Sequence, residues 1–312
     1  MITNLPFKRG LVIYGSYPEV LTGHKILIEQ LLKVSTDEYF EVVELPVVND
    51  VDSWLEIKRI VDESGIDVVA SAGPSCVLSG WNLSSTNKLE REKAISGMKN
   101  AIDYAYFIGA RELAFLSGRD PGEGNRGIAY NILLESFEIL AKYTKEKATD
   151  YLLYLSLEPA DRELTHKQLV GPTQEALDFM VKATQLCHAI NLTLDMSHIA
   201  QLYETFEQAT ANLRGFVGHA HLANAFVRDP SMPEFGDKHP KFGLPGSEYN
   251  VRDITKYIEL LFNNCFKYVT YFPYGKPVIS LEVKPTNLEF ADLTLAGAKR
   301  AMSLAIGDIS FS

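Results

Sequence analysis

Residues 191–224, NLTLDMSHIAQLYETFEQATANLRGFVGHAHLAN, contain the pattern that decides the fold. Two apolar runs, at 191–198 and 216–224, enclose an amphipathic stretch at 199–212. Short runs that are apolar throughout are typical of parallel strands buried on both faces. Gly215 stands where a glycine commonly follows the end of a helix. The segment therefore predicts a strand, a helix and a second strand parallel to the first.

The same unit recurs along the whole chain. Six more strands are predicted at 10–16, 40–48, 66–73, 111–118, 151–159 and 277–285. Further helices are predicted at 53–63, 88–108, 128–142, 174–189, 253–266 and 289–305. Eight strands that alternate with helices predict an α/β fold, the (β/α)8 or TIM barrel. The alternative, an open doubly wound sheet, is less favoured because no GxGxxG fingerprint follows the first strand. We expect a single domain over residues 1–312, with a long irregular loop at about 225–250 after strand seven.

Composition excludes several classes of partner. The chain has 30 Lys and Arg against 40 Asp and Glu, so its net charge is −10. An acidic surface repels nucleic-acid phosphates and anionic membranes, so we expect neither as a partner. No apolar run approaches the roughly 18 residues that a membrane-spanning helix needs. The three cysteines, Cys76, Cys187 and Cys265, are scattered, so we expect no disulfide framework. The first ten residues, MITNLPFKRG, have no apolar core of the kind a secretory signal needs, so we expect that they are not a signal peptide. We expect a cytoplasmic protein.

Ionisable residues occur at the ends of four consecutive predicted strands. Glu158, Asp195 and Glu282 end strands five, six and eight, and His221 lies in strand seven. Catalytic groups of (β/α)8 barrels lie at these strand ends. Buried carboxylates that face one another repel, and a divalent cation compensates them. A set rich in oxygen with one imidazole favours Mn²⁺, Mg²⁺ or Co²⁺. We predict one divalent ion bound by these four residues, Mn²⁺ by preference, with Mg²⁺, Co²⁺ and Zn²⁺ as alternatives.

Other polar residues accompany these four. His219 alternates with His221 and faces the same way, either as a further ligand, as an inward-facing residue that hydrogen-bonds a ligand, or as a substrate contact. Lys284 follows Glu282 by two residues and either neutralises a developing enolate or pairs with Glu282. His198 lies three residues after the strand-six aspartate.

The loop after strand seven adds two candidates. Asp237 and His239, in GDKHPKFG (236–243), are expected to bind substrate or to close over it, since long irregular segments in compact domains are usually functional. The alternative is a pair that stabilises the loop. Three other histidines are expected to be ordinary surface or core residues: His24, His166 and His188.

The motifs LEP (157–159), LDMSH (194–198), GHAHLAN (218–224) and SLEVKP (280–285) together resemble the xylose-isomerase-like TIM-barrel superfamily. That superfamily includes sugar and sugar-phosphate isomerases and epimerases, and apurinic endonucleases. In its ketose 3-epimerase branch, a Glu, an Asp, a His and a Glu at these strand ends bind the metal. The resemblance thus implies the same four ligands here. It also implies that His198 contacts a substrate oxygen. Arg228, which lies one position later than the arginine that follows the strand-seven ligand in the epimerases, is the corresponding candidate for binding substrate.

The residues and the resemblance lead to a functional hypothesis. We expect a metal-dependent isomerase or epimerase of a sugar, sugar acid or cyclitol, with proton transfer α to a carbonyl through an enediolate that the metal stabilises. Glu158, Glu282 and His198 are the expected acid–base groups. The main alternative is a lyase or dehydratase on a keto-sugar, such as a C-glycoside-cleaving subunit with a small partner subunit. A non-catalytic sugar-binding barrel and an apurinic endonuclease are less favoured alternatives. The sequence leaves open whether the protein forms a homo-oligomer.

Overall fold

The computed structural model of the protein describes residues 5–311, and its centre is a closed barrel of eight parallel strands. Each strand pairs with the next, and the last pairs with the first, so the sheet has no edge. The strands are β1 Lys8–Val12, β2 Val42–Pro46, β3 Asp67–Ser71, β4 Glu112–Phe115, β5 Tyr154–Leu157, β6 Ile190–Asp195, β7 Val217–Leu222 and β8 Val278–Leu281. Each overlaps one of the eight predicted strands, so the predicted (β/α)8 fold is confirmed.

Helices connect the strands and cover the outside of the barrel. The longer ones are His24–Ser35, Val51–Ser64, Lys88–Ile108, Arg126–Lys147, Thr173–Leu186, Val251–Leu260 and Ala291–Gly307. The main apolar core lies between these helices and the sheet. Across residues 5–311, none of the helices combines the length and the apolar character that crossing a membrane requires.

Two connections differ from the sequence prediction. The expected helix at 199–212 is two short helices, Met196–Gln201 and Phe206–Asn212. Tyr203, with φ of 57°, interrupts the helical path, and the Thr205 side chain caps the second helix by accepting a hydrogen bond from the Gln208 amide. The helix His24–Ser35 was not predicted, although its apolar residues recur at helical spacing.

Strand register brings the predicted site residues to one level at the C-terminal end of the barrel. Asp195 is the register partner of His221 in the pairing of β6 with β7. The ladder continues one residue beyond β5 and β8, because the amides of Glu158 and Glu282 donate to the carbonyls of Phe115 and Leu222, both at 3.0 Å. These four side chains therefore start from neighbouring positions around half of the barrel rim.

The barrel interior has an apolar part and a polar part. Val42, Val69, Tyr274 and Val278 form a small apolar cluster that is separate from the main core. Glu112, Asn191, His219 and Ser280 are buried in one hydrogen-bonded group. The His219 ring lies beside the His221 ring, with 4.9 Å between the ring centroids, so this polar group adjoins the residues of the rim.

Candidate metal centre and active site

Four side chains converge at the centre of the barrel mouth. One potential ligand atom from each of Glu158, Asp195, His221 and Glu282 lies within 4.8 Å of all the others. The Nδ1 atom of His221 lies 3.0 Å from Glu282 Oε2 and 3.6 Å from both Glu158 Oε1 and Asp195 Oδ2. The structure thus brings together the four residues that the sequence analysis selected as metal ligands.

Two atoms of this group are buried without a hydrogen-bond partner among the described residues. They are His221 Nδ1 and Asp195 Oδ2. Buried polar atoms are nearly always paired, so two orphaned atoms that face each other require an explanation. Asp195 Oδ1 is already occupied, since it accepts from the Ser197 amide at 2.5 Å. The remaining oxygen and the imidazole nitrogen lie 3.6 Å apart, so one bound atom could contact both of them.

The geometry fits a divalent cation. Metal–ligand distances of about 2.0–2.2 Å place neighbouring ligand atoms about 2.8–3.6 Å apart in octahedral or tetrahedral coordination. The three distances from His221 Nδ1, 3.0, 3.6 and 3.6 Å, fall in or at the edge of this range. Three carboxylates and one imidazole with a divalent ion leave a local charge near −1. The four side chains thus fit a divalent cation both in the spacing of their ligand atoms and in their total charge.

A buried glutamate orients the histidine. Glu44, on β2, is fully buried, and its Oε2 lies 3.1 Å from His221 Nε2. Glu44 Oε1 accepts from the Tyr14 hydroxyl at 2.5 Å, and that hydroxyl lies 2.9 Å from Ser71 Oγ. A carboxylate acceptor holds the imidazole proton on Nε2 and leaves Nδ1 as a lone-pair donor. This is the arrangement in which a histidine binds a metal ion.

The carboxylates around the centre shift the proton affinities of its histidines. Burial lowers the pKa of the His221 imidazole, but Glu44 and the three carboxylates at the rim raise that pKa well above its ordinary value. For His198, burial again lowers the pKa, while Asp195 and other carboxylates raise it to about 10. The carboxylates thus make the centre attract positive charge, either as a proton on an imidazole or as a cation that takes the place of that proton.

A second group of polar side chains adjoins the first. Asp237 Oδ2 lies 2.9 Å from His166 Nε2, and Asp237 Oδ1 lies 2.6 Å from His239 Nε2 and 3.4 Å from His198 Nε2. His239 Nδ1 also lies 3.2 Å from Glu282 Oε1, which links this group to the first one. These nitrogen and oxygen atoms can bind substrate hydroxyls, and they are close enough to hold a cation themselves.

Lys284 belongs to this second group. Its Nζ lies 3.2 Å from the carbonyl oxygen and 3.3 Å from Oδ2 of Asp237. One of its two expected roles, an ion pair with Glu282, is not observed, because Lys284 and Glu282 form no ion pair within 4.0 Å in the described part of the chain. The ammonium instead anchors the loop aspartate and faces the pocket.

A cavity of about 300 Å³ opens above both groups. Its charged lining comprises Glu158, His166, His198, Asp237, His239, Glu282 and Lys284. His198 enters this cavity with a defined orientation, because its Nδ1 lies 3.1 Å from the carbonyl oxygen of Pro159. That contact leaves Nε2 on the cavity side, where it has no hydrogen-bond partner among residues 5–311.

Two expected substrate contacts lie elsewhere. His219 is fully buried below the centre, with Nδ1 3.1 Å from Glu112 Oε1 and Nε2 2.7 Å from Ser280 Oγ. Both ring nitrogens already have hydrogen-bond partners. His219 therefore neither contacts the cavity, as a substrate-binding residue would, nor has a nitrogen free to bind a metal ion. The Arg228 side chain is 67% exposed and pairs with Glu248 at 2.7 Å, outside the lining of the cavity. A surface ion pair accounts for its position.

Three residues of the site were not among the predicted ones. His166, expected to be ordinary, lines the cavity and contacts Asp237. Glu44 and Tyr14 support His221 from the opposite side of the barrel. A carboxylate inside the apolar run of β2 was a signal for Glu44, since an inward-facing acid in a barrel strand needs a partner. No local signal marked His166, which lies in an irregular loop.

Comparison with known protein families places the chain in one of them. Residues 38–268, well over half of the chain, match the model of the xylose isomerase-like TIM barrel family, and the chain therefore belongs to that family. The resemblance drawn from the strand-end motifs is thereby confirmed. No curated protein matches the chain in sequence.

Solved structures with this fold include sugar epimerases. A D-psicose 3-epimerase with D-tagatose from Clostridium cellulolyticum H10 is 17% identical, with a TM-score of 0.65 over 96% of this chain and 97% of that one. A 3-keto-D-glucoside 4-epimerase from E. coli is 14% identical, with a TM-score of 0.64 over 96% and 99%. A family 2 AP endonuclease from Brucella melitensis is 15% identical, with a TM-score of 0.63 over 97% and 99%. Likeness at these identities establishes the shared fold.

Proposed function

We propose that the protein is a divalent-metal-dependent isomerase or epimerase that moves a proton α to the carbonyl of a sugar or sugar-like substrate. The observation that carries this proposal is the orphaned His221 Nδ1, which faces three carboxylates at the base of an open cavity. The names of the solved sugar epimerases with the same fold are consistent with it.

Glu158, Asp195, His221 and Glu282 would hold the ion, with Mn²⁺ as our preferred metal. A divalent cation bound there supplies Lewis acidity, which polarises a carbonyl and makes the neighbouring C–H more acidic. We further propose one small carbohydrate as the ligand and a cytoplasmic setting. The setting is supported by the three cysteines, which are all free thiols.

Among the chain's own groups, Glu158 is the better placed base. No described residue donates a hydrogen bond to its carboxylate, which lies within reach of the cavity. Glu282 differs, because burial raises the pKa of its carboxyl but His239 and His221 hold it well below its usual range. A base stabilised in its charged form is a weaker proton acceptor. Glu158 therefore takes the proton, and Glu282 or His198 returns it.

His198 has a separate task at the substrate oxygen. Its Nδ1 is held by the Pro159 carbonyl, and its Nε2 faces the cavity. A protonated imidazole in that orientation donates a hydrogen bond to an oxygen on which negative charge grows. Lys284, whose ammonium is fixed by Asp237, adds positive charge on the same side.

The metal is tested first. The purified chain should bind one divalent ion per molecule, and Glu158→Gln or Asp195→Asn should lose it while the far-ultraviolet circular dichroism stays unchanged. The matched control is Glu163→Gln, which removes an exposed carboxylate five residues away. Full metal content in both ligand variants would contradict the assignment.

Proton transfer is tested separately. A panel of keto-sugars incubated in heavy water with the metal-loaded protein should include one that gains deuterium at a single carbon. His198→Ala should slow that exchange about 10²- to 10⁴-fold and keep the metal. Binding of sugars without any exchange would favour a non-catalytic sugar-binding barrel instead.

A lyase on a keto-sugar is the second candidate. It would use the same proton abstraction, followed by expulsion of a group β to the carbonyl. The observation that favours it is the apolar part of the cavity lining, which includes Leu21, Val77 and Leu78 and offers room for a leaving group. Release of the leaving group as a free molecule, without an isomerised sugar product, would favour the lyase over the isomerase.

A further inference from the structure

His166 lines the cavity above the metal centre, and the proton transfer at carbon does not use it. Its Nε2 lies 2.9 Å from Asp237 Oδ2. A carboxylate beside Nε2 holds the ring proton there and leaves Nδ1 as the basic nitrogen. Within residues 5–311, Nδ1 makes no hydrogen bond, and 16% of the side chain is exposed. His166 thus offers the cavity an imidazole in the form that a general base requires.

The loop that carries this histidine is fixed in place. The buried Asp161 carboxylate accepts hydrogen bonds from three successive amides, at positions 164–166, with distances of 2.6 to 2.7 Å. Thr165 Oγ1 in turn accepts from the Asp237 amide at 3.1 Å. Gly236 has φ of 83°, and a Cβ there would lie 2.7 Å from Thr165 Oγ1, so glycine is what lets the two loops approach. The imidazole and its carboxylate are therefore held together, as a catalytic pair requires.

The two other histidines of the cavity have different surroundings. Both nitrogens of His239 face carboxylates, with Nε2 2.6 Å from Asp237 Oδ1 and Nδ1 3.2 Å from Glu282 Oε1. Neither nitrogen is therefore free for a substrate. His198 is anchored through Nδ1 by the Pro159 carbonyl, and its Nε2 already has the task of donating to a substrate oxygen. In the described part of the chain, this leaves the loop histidine as the imidazole that can take a proton from oxygen.

A carbonyl that moves to the neighbouring carbon requires proton transfer at oxygen as well as at carbon. Glu158 takes the α-proton, and the C–H electron pair becomes the C=C bond of an enediolate. The hydroxyl on the α-carbon then loses its proton as its oxygen becomes the new carbonyl, and the former carbonyl oxygen gains a proton. The groups assigned above return the carbon-bound proton to the former carbonyl carbon. All electron pairs stay within the substrate, so no oxidant or reductant is needed.

We propose that His166 is a further catalytic residue: its Nδ1 takes the proton from the hydroxyl oxygen and delivers it to the former carbonyl oxygen, while Asp237 holds the ring. This inference rests on the proposed function and deepens it. It assigns the chain to isomerisation, in which the carbonyl moves, because inversion at a carbon requires no transfer at oxygen. The centroids of the His166 and His198 rings lie 5.8 Å apart, so the two imidazoles can serve adjacent oxygens of one substrate.

The test separates proton transfer at oxygen from proton transfer at carbon. The metal-loaded full chain is incubated in heavy water with D-fructose, D-psicose, D-tagatose or D-xylulose, and NMR follows deuterium at the α-carbon and products whose carbonyl has moved. At least one ketose should show both. His166→Gln keeps a donor for Asp237 but cannot relay a proton, so it should slow carbonyl migration about 10²- to 10⁴-fold more than deuterium exchange. His188→Gln, an exposed change before β6, should alter neither rate.

Metal content and melting temperature are measured on every variant, and His166→Asn repeats the test if the glutamine variant is unstable. Equal losses of exchange and migration would mean that His166 only positions the substrate, and unchanged migration would mean that it has no catalytic role; either result overturns the inference. A wild type that inverts a carbon centre without moving the carbonyl also overturns it, but leaves the proposed function intact. A wild type that binds no metal, or exchanges none of the ketoses, contradicts the proposed function on which the inference rests.

Discussion

Replacement of Glu44 by glutamine tests the metal centre without touching a ligand. Glu44 Oε2 lies 3.1 Å from His221 Nε2, and Oε1 accepts from the Tyr14 hydroxyl at 2.5 Å. Glutamine keeps the size of the side chain but offers one acceptor oxygen in place of two. That oxygen serves either the tyrosine or the histidine. If the amide NH₂ faces Nε2, the imidazole must carry its proton on Nδ1, the atom assigned to the metal.

The expected effect follows from that competition. Loss of a buried carboxylate partner of a ligating histidine weakens metal binding about 10- to 100-fold. That range corresponds to about 1.4–2.7 kcal/mol of binding free energy. The variant should also melt at a lower temperature, because the buried glutamine amide cannot satisfy the hydrogen bonds of both Tyr14 and His221.

Glu112→Gln is the matched control. Glu112 is buried in the same barrel and lies 3.1 Å from a histidine, His219, that is not a proposed ligand. Both variants should lose stability, but only Glu44→Gln should lose metal affinity, measured by competition with a chromogenic chelator. Equal metal affinities in the wild type and Glu44→Gln, or equal losses of affinity in both variants, would show that Glu44 does not support metal binding through His221.

Three further predictions follow from particular contacts. Chelation of the metal should lower the melting temperature at neutral pH, since an ion at 100 times its Kd contributes about 2.7 kcal/mol to stability; an unchanged melt would mean that no tight site exists. Arg126 donates two hydrogen bonds to Asp120 and lowers the pKa of that carboxyl. The ionised Asp120 carboxylate thus stabilises the folded state above its ordinary pKa near 4, and this stabilisation is lost as the pH falls through its pKa in the folded state. In urea titrations, Asp120→Asn should therefore be less stable than the wild type at about pH 6 and approach the stability of the wild type at about pH 3. Gly218→Ala should destabilise the barrel by about 1–3 kcal/mol in the same assay, since its Cβ would meet Asn191 Nδ2 at 2.2 Å, whereas Gly124→Ala, with open space, should not.

Much of the fold was predictable from the sequence because its signals are local. Most of the eight strands lie in near-continuous apolar runs, and a strand buried on both faces shows this in its own residues. The helix Lys88–Ile108 has the predicted bounds, since Asn87 caps its start and Gly109 ends it with φ of 84°. The split of 199–212 was missed because it depends on a single left-handed residue, Tyr203, that no periodicity marks.

The four proposed ligands were predictable for a related reason. In a parallel barrel, every strand ends at the same rim, so a polar residue that directly follows an apolar run lies at the mouth whatever the detailed packing. Glu158, Asp195 and Glu282 follow this rule, and His221 lies level with them.

The remaining features depend on how distant segments meet. Glu44 is 177 residues away from His221 in sequence, and only closure of the barrel puts its carboxylate behind the imidazole. His166 and Asp237 come from two irregular loops that converge over the mouth. The (β/α)8 fold and the four rim residues could thus be predicted from the amino-acid sequence, because local apolar runs and the residues that end them specify both. The partner of His221, the burial of His219 and the apolar residues on one side of the cavity could not, because they depend on contacts between residues that no local pattern relates.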